Sequence, residues 1–207
     1  IDSLPLSYIP RLRSVAGVEK IAHQTWFGGS YQDNRVFFAR WPVPPKEYME
    51  IYDDYVLTDE ELQNFINVRT SAIAGRNVAD QLGWKVGDKI PFVPDIWMNK
   101  DGGAWEFDLV GIYDGKDEDT DTNQFFINFE FFDEYRVADS GNVSNFVVTI
   151  DNPDNAAAIA KQIDDMFRNS SDETKTATEQ AYMASFANQI GDIGFMMTAI
   201  LSAVFFS

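Results

Sequence analysis

Ser71-Ala72-Ile73-Ala74-Gly75-Arg76, then Asn77-Val78-Ala79-Asp80-Gln81-Leu82-Gly83 and Trp84-Lys85-Val86-Gly87-Asp88-Lys89-Ile90, is the stretch whose reading decides the fold. Ala72, Ile73 and Ala74 form a short apolar run. Gly75 and Arg76 turn the chain, and Asn77 is placed to cap a helix with buried positions Val78, Ala79 and Leu82. Gly83 suits the left-handed position just past that helix. Val86-Gly87-Asp88 is turn chemistry that launches a strand at Lys89. Further on, Trp105, Phe107 and Leu109 alternate with Glu106 and Asp108, which predicts a strand with one wet face. The unit is strand, helix, turn, strand, with a later antiparallel strand to pair.

Toward the N-terminus, Ile9 to Val15 reads as a short helical turn with Leu12 and Val15 facing in, ended by Gly17. Val18 to Phe27 reads as a strand with Ile21, Thr25 and Phe27 on one face and Ala22 and Trp26 on the other. A hairpin loop from Gly28 to Asn34 leads to a second strand, Val36 to Trp41, and Pro42-Val43-Pro44-Pro45 is a connector. Glu47 to Tyr55 fits helix or strand. Thr58 with Glu61 is a capping box, which predicts a helix over Asp59 to Val68 with Leu62, Phe65 and Ile66 inward.

Toward the C-terminus, Met98 to Gly103 is a turn, Phe125 to Phe129 a strand, Phe131 to Val137 a short helix or turn, and Asn142 to Ile150 a strand. Asn152-Pro153 opens a helix whose buried stripe is Ala156, Ala160, Ile163 and Phe167. Thr176 with Glu179 is a second capping box. The helix it opens can run to the chain end, with Phe186, Ile190, Ile193, Met197, Ile200 and Val204 as a seam for a neighbouring helix. A strand followed directly by an amphipathic helix occurs twice, which predicts an α+β fold with helices on one sheet face.

The 207 residues suffice for one large domain or two small lobes, and 45% hydrophobic residues supply a core. Asp plus Glu outnumber Lys plus Arg by 33 to 16, a formal charge of −17. That repels nucleic acid and anionic membrane surfaces, so no nucleic-acid partner is expected. There is no cysteine, hence neither a disulfide framework nor thiol catalysis. From Ile193 to Phe206 the chain carries no charge. That run is shorter than the roughly 20 residues a bilayer crossing needs, and it is read as the start of a truncated membrane helix. Gly191 and Gly194 stand where polarity vanishes and allow close packing or a bend at the membrane boundary.

Three pieces carry a resemblance: Ala72 to Gly83 in the form A-[IV]-x-G-R-x-x-A-x-x-L-G, Val86 to Ile90 as V-G-D-x-[IL], and Val110 to Tyr113 as V-G-I-Y. In this order and spacing they resemble the extracytoplasmic domain of MacB/FtsX-like ABC transporter permeases. The resemblance runs from Gly17-Val18 to the final apolar run. It implies an α+β fold of two lobes, with a porter-like αβ lobe from 1–70 and 123–175 and a smaller β-rich lobe inserted at 71–122. A C-terminal helix, 176–207, would lead into the truncated membrane helix. The family's structural turns would fall on Gly75, Gly83, Gly87 and Asp88, and the membrane boundary on Gly191 and Gly194. The resemblance further implies a place on the outer side of the cell inner membrane, anchored through flanking helices. It implies a second permease copy, a cytoplasmic ABC ATPase and a periplasmic adaptor or lipoprotein as partners, and no cofactor. The other function class is a free-standing extracytoplasmic binding module whose final apolar run is a core helix.

Catalytic signatures are missing. No P-loop and no G-x-S-x-G elbow is present, and the lone His23 has no His or Cys partner that would make a metal cluster. Asp117, Asp119 and Asp121 have the first three ligand spacings of an EF-hand. The required glycine position, however, holds Thr122, and the bidentate glutamate position holds Asn128. Calorimetric titration with calcium is expected to give no binding in the micromolar range; a dissociation constant near ~10⁻⁶ M, that of an EF-hand sensor, would contradict the reading.

Overall fold

In the computed structural model, which describes residues 3–32, 36–185 and 188, each element follows from a local signal. In chain order they are β1 (Leu4–Pro5), α1 (Ile9–Arg13), β2 (Val18–Gln24), β3 (Gly29–Ser30), β4 (Ala39–Val43) and α2 (Pro45–Ile51). Then come β5 (Tyr55–Val56), α3 (Asp59–Asn67), β6 (Ser71–Gly75), α4 (Arg76–Leu82), β7 (Lys89–Pro94) and β8 (Trp105–Gly115). The last are β9 (Gln124–Asn128), α5 (Phe129–Tyr135), β10 (Asn142–Val143), β11 (Asn145–Ile150) and α6 (Ala156–Phe167), with a further helical stretch at 179–185. The chain divides into two units, one ending at Asp151 and the other starting at Asn152.

The first unit is built on a curled mixed sheet of order β3-β7-β8-β6-β9-β4, with β5 beside β8. β6 runs parallel to β8 and antiparallel to β9, and β9 runs parallel to β4. The two edges of the curl meet at residues 25–30. The N–H groups of Thr25 and Phe27 donate to the carbonyls of Pro42 and Arg40 at 3.1 and 3.0 Å. On the other side, Gly29 and Ser30 pair with Pro94 and Val93, and the Asp95 N–H donates to the Gly28 carbonyl at 3.1 Å. One short segment therefore bonds to both edges, to Arg40 and Pro42 of β4 and to Val93 and Pro94 of β7.

The alternation expected of β8 is realised: Trp105, Phe107, Leu109 and Tyr113 are buried, while Glu106 and Asp114 are exposed. Ala72 pairs with Leu109 but Ile73 with Gly111, so Val110 is an extra residue in a bulge. Just beyond, the Ile112 N–H donates to Glu61 Oε1 at 3.2 Å. The other oxygen of Glu61 closes the capping box on Thr58, as the sequence predicts. One carboxylate thus starts α3 and satisfies a backbone donor of the bulged strand.

The sheet has an apolar layer on each face. One contains Phe27, Phe92, Trp105, Phe107, Phe125 and Phe132; the other contains Trp41, Tyr48, Phe65, Ile73, Tyr113 and Phe126. Beside the curl, β2 pairs antiparallel with β11, from Gln24 opposite Asn145 to Val18 opposite Ile150.

This pairing corrects the expected lobe boundaries. The insertion between strands that pair with each other spans 25–144, and the segment 71–122 has no sheet of its own. β6 is buried along its whole length and bonded on both edges, to β8 and to β9. A strand of that kind needs neighbours on every side, so no lobe can begin there. The proline connector is also absorbed. Pro42 and Val43 complete β4, and Pro45 sits in the first turn of α2, where a missing N–H costs nothing.

Smaller corrections follow the same logic. Gly75, not Asn77, is the N-cap of α4, and no side chain caps it. Gly83 ends that helix at φ 69°. In the second unit, Asn152 accepts from the Asp154 N–H at 3.0 Å, and Ile159, Ile163 and Phe167 are the buried stripe of α6, whereas Ala156 and Ala160, expected in it, are only half-buried. Thr176 is not a cap. Its N–H and hydroxyl donate to the Asp164 carboxylate, and Thr178 caps the next helix through the Ala181 N–H at 3.3 Å. Gly191, Gly194, the seam from Phe186 to Val204 and the uncharged run lie outside the described residues. Among the described residues no helix is long and apolar enough to cross a membrane.

Two glycines separate two kinds of constraint. A Cβ on Gly75 would stand 2.1 Å from the Thr122 carbonyl oxygen, whereas one on Gly83 meets nothing within 4 Å but carries the cost of a left-handed backbone. Urea unfolding should show Gly83→Ala losing about 1 kcal/mol and Gly75→Ala about 3 kcal/mol. Equal losses would show that the backbone at Thr122 yields freely.

Candidate functional site

Along β4, side chains alternate, so residues two apart share a face. Phe38, just before the strand, is packed into the aromatic core, and the same face therefore carries Arg40 inward. Arg40 is 4% exposed. Its guanidinium lies over the rings of Phe38 and Phe92, 4.4 and 5.2 Å from their centroids. Its Nε has no hydrogen-bond partner, and no carboxylate among the described residues forms an ion pair with it. Burial lowers its pKa and the charge of Asp95 opposes that shift. A guanidinium stays charged under any such shift.

Above Arg40 an open cleft of about 290 Å³ follows the seam of the curl, lined by Trp26, Gly28, Phe37, Arg40, Asp95 and Ile96 among others. Phe37 is 72% exposed at its mouth. A Cβ on Gly28 would meet the Ile96 side chain at 2.4 Å, so glycine lets Ile96 lie flat along the backbone as one wall. The floor is held by a relay of indoles: Trp105 Nε1–H donates to the Trp97 carbonyl at 2.7 Å, and Trp97 Nε1–H to the Trp26 carbonyl at 2.8 Å. The arrangement offers a desolvated cation beside apolar walls. Among the described residues that line it, no nucleophile and base are in contact.

A second buried polar cluster serves structure. Arg136 lies 4.9 Å from the ring centroids of both Trp97 and Phe132, bonds to Asp133 and donates to the Asn142 carbonyl at 2.7 Å. It ties α5 to β10. His23 is edge-on to Phe129 at 4.4 Å, and its Nδ1 has no hydrogen-bond partner. Burial holds its pKa down at about 4, against a smaller upward pull from Asp133.

The residues singled out in the sequence lie elsewhere. Gly83, Gly87 and Asp88 share the turn between α4 and β7. Gly87 stands at φ 101°, the Asp88 carboxylate accepts from the Lys85 N–H at 2.8 Å, and Leu109 bonds to both backbones. Gly75 is at the far end of α4, and none of the four lines the cleft. In the acidic loop, Asp117 accepts from the N–H groups of Asp119 and Thr120, Asp121 accepts from Asn123, and Asp114 pairs with Arg76. Among the described residues no group of acidic or histidine side chains could hold a metal ion. Sequence reasoning missed Arg40. The signal was there: Phe38-Ala39-Arg40-Trp41 puts a charge in the core-facing register of an otherwise apolar strand.

No protein-family profile matches the sequence, and no curated protein matches it. Solved structures do. The extracellular domain of the noncanonic ABC-type transporter YknZ from Gram-positive bacteria is similar with a TM-score of 0.59 at 13% identity, over 84% of this chain and 87% of that one. The periplasmic region of MacB from Actinobacillus actinomycetemcomitans is similar at 0.57 and 11%, over 84% and 78%. A domain of a Porphyromonas gingivalis protein described as a permease is similar at 0.51 and 11%, over 83% and 80%. The fold is that of the extracytoplasmic domains of MacB/YknZ-like ABC transporter permeases.

His23 makes stability depend on pH with a definite sign. Above its unfolded pKa of 6.5 both states are neutral and nothing is lost. As pH falls from 6.5 toward 4 the unfolded chain takes the proton first, so folding weakens. Between pH 7 and 4.5 the wild type should lose roughly 2 kcal/mol more than His23→Leu in urea unfolding. Parallel losses would show that His23 titrates normally in the folded protein.

Proposed function

We propose that this chain is the extracytoplasmic domain of an ABC transporter permease of the MacB/YknZ type, without catalysis of its own. The observation that carries the reading is the fold shared with the YknZ and MacB domains over most of both chains. The sequence pattern supports it independently. Ala72 to Gly83 falls on β6 and α4, Val86 to Ile90 on the turn into β7, and Val110 to Tyr113 on the bulged part of β8. Each piece occupies a position that fixes the backbone.

In this reading the domain works mechanically. The β2–β11 pair forms the base, and the inserted segment 25–144 moves with it as one piece. Helices on either side of the domain enter the inner membrane, a cytoplasmic ABC ATPase moves them, and a second permease copy completes the machine. The outer domain passes that motion to a substrate, or to an adaptor or lipoprotein at its far end.

Topology tests this directly. A protease site placed at the exposed residues 117–119 of the full-length protein should be cut by protease added outside intact spheroplasts, and the tagged protein should co-purify with an ABC ATPase. Cleavage only after lysis, with no ATPase recovered, would contradict the proposal.

A further inference from the structure

A buried charge is normally paired, because removing it from water costs several kcal/mol. Arg40 breaks that pattern in a chain where carboxylates are abundant, with 33 Asp and Glu. Its guanidinium lies over Phe38 and Phe92 with its Nε unsatisfied, it lines a cleft, and no carboxylate among the described residues forms an ion pair with it. Asp95 lines the same cleft but stands exposed, and does not bond to it. Beside this cation, Phe37 and Ile96 present apolar surface to solvent.

We infer that the seam cleft binds a carboxylate carried beside an apolar group, with the carboxylate on the Arg40 guanidinium and the apolar group against Phe37 and Ile96. A guanidinium offers a forked set of donors that matches the two oxygens of a carboxylate. Asp95 narrows the choice of anion. A dianion such as phosphate meets twice the repulsion from that carboxylate and from a net charge of −17, whereas a monoanion gains the same donors at half that cost. The ligand is a small organic acid or an acidic side chain of a peptide; the two share this chemistry. The inference does not depend on the permease reading, since it rests on the cleft alone.

Nuclear magnetic resonance on the ¹⁵N-labelled 207-residue chain tests it. The probes are phenylacetate, acetyl-Leu-Glu-Leu-amide, its Gln-containing counterpart, and inorganic phosphate. Phenylacetate or the Glu peptide, or both, should shift the amide signals of Gly28, Gly29 and Ile96, and whichever binds names the source. The Gln peptide should bind about tenfold more weakly than the Glu peptide, the factor expected for losing a hydrogen-bonded charge. Arg40→Met should abolish the shifts, and Asp95→Asn should strengthen binding by a few-fold. Should Arg40→Met fail to fold, the Gln control and Asp95→Asn still decide. Equal binding of the Gln peptide, binding of phosphate as strong as that of the carboxylates, shifts retained in folded Arg40→Met, or no shift with either carboxylate at millimolar concentration would each overturn the inference.

Discussion

Phe27 is where the fold is joined. Its ring is fully buried, with the rings of Phe92, Trp105, Phe107 and Phe132 at 5.8 to 6.0 Å. Its N–H donates to the Arg40 carbonyl, and two residues later the same segment pairs with β7. The side chain supplies the centre of the core while the backbone closes the sheet around it. Edge-to-face aromatic pairs add roughly 0.5–1.5 kcal/mol each beyond the area they bury. A large, stiff ring at this point therefore stabilises the closed form strongly. Removing it would open a cavity and loosen the seam together, so closure and packing form one cooperative event.

The local signals were legible and the distant ones were not. The wet and dry faces of β8 were visible in Trp105, Phe107 and Leu109, and the capping box of α3 in Thr58 and Glu61, because both depend on residues within a turn or two. Glu61 reaching across to the bulge at Ile112 was not visible, since the bulge arises from pairing between strands far apart in sequence. The same holds for the lobes. Composition along the chain carries no record of sheet order. The pairing of Gln24 with Asn145, which bounds the insertion, leaves no local trace. Thr176 shows a related failure. A capping motif competes with any nearby carboxylate, and here Asp164 took its N–H and hydroxyl.

The cleft was half legible. Alternation along Phe38, Ala39 and Arg40 places the charge inside, but the seam it faces exists only once β4 and β7 are joined through residues 25–30. This gives the site an economy of parts. Gly28 accepts the hydrogen bond that closes the curl and, lacking a side chain, makes room for the Ile96 wall. A buried charge with no ion-pair partner among the described residues lowers stability. Arg136, equally buried and also over aromatic rings, differs in bonding to a carboxylate and a carbonyl between α5 and β10, although its Nη1 has no hydrogen-bond partner.

The curl is one body, with 71–122 woven through its sheet. Native-state hydrogen exchange measures this residue by residue, because amides that open together share one opening free energy. The amides of Phe27 in the seam, Ile73 and Ala74 in β6, Phe107 in β8 and Phe126 in β9 should exchange with a common free energy close to that of global unfolding. Release of the β6–β8 amides at a distinctly lower free energy than those of β4 and β9 would contradict the account and restore 71–122 as a separate lobe.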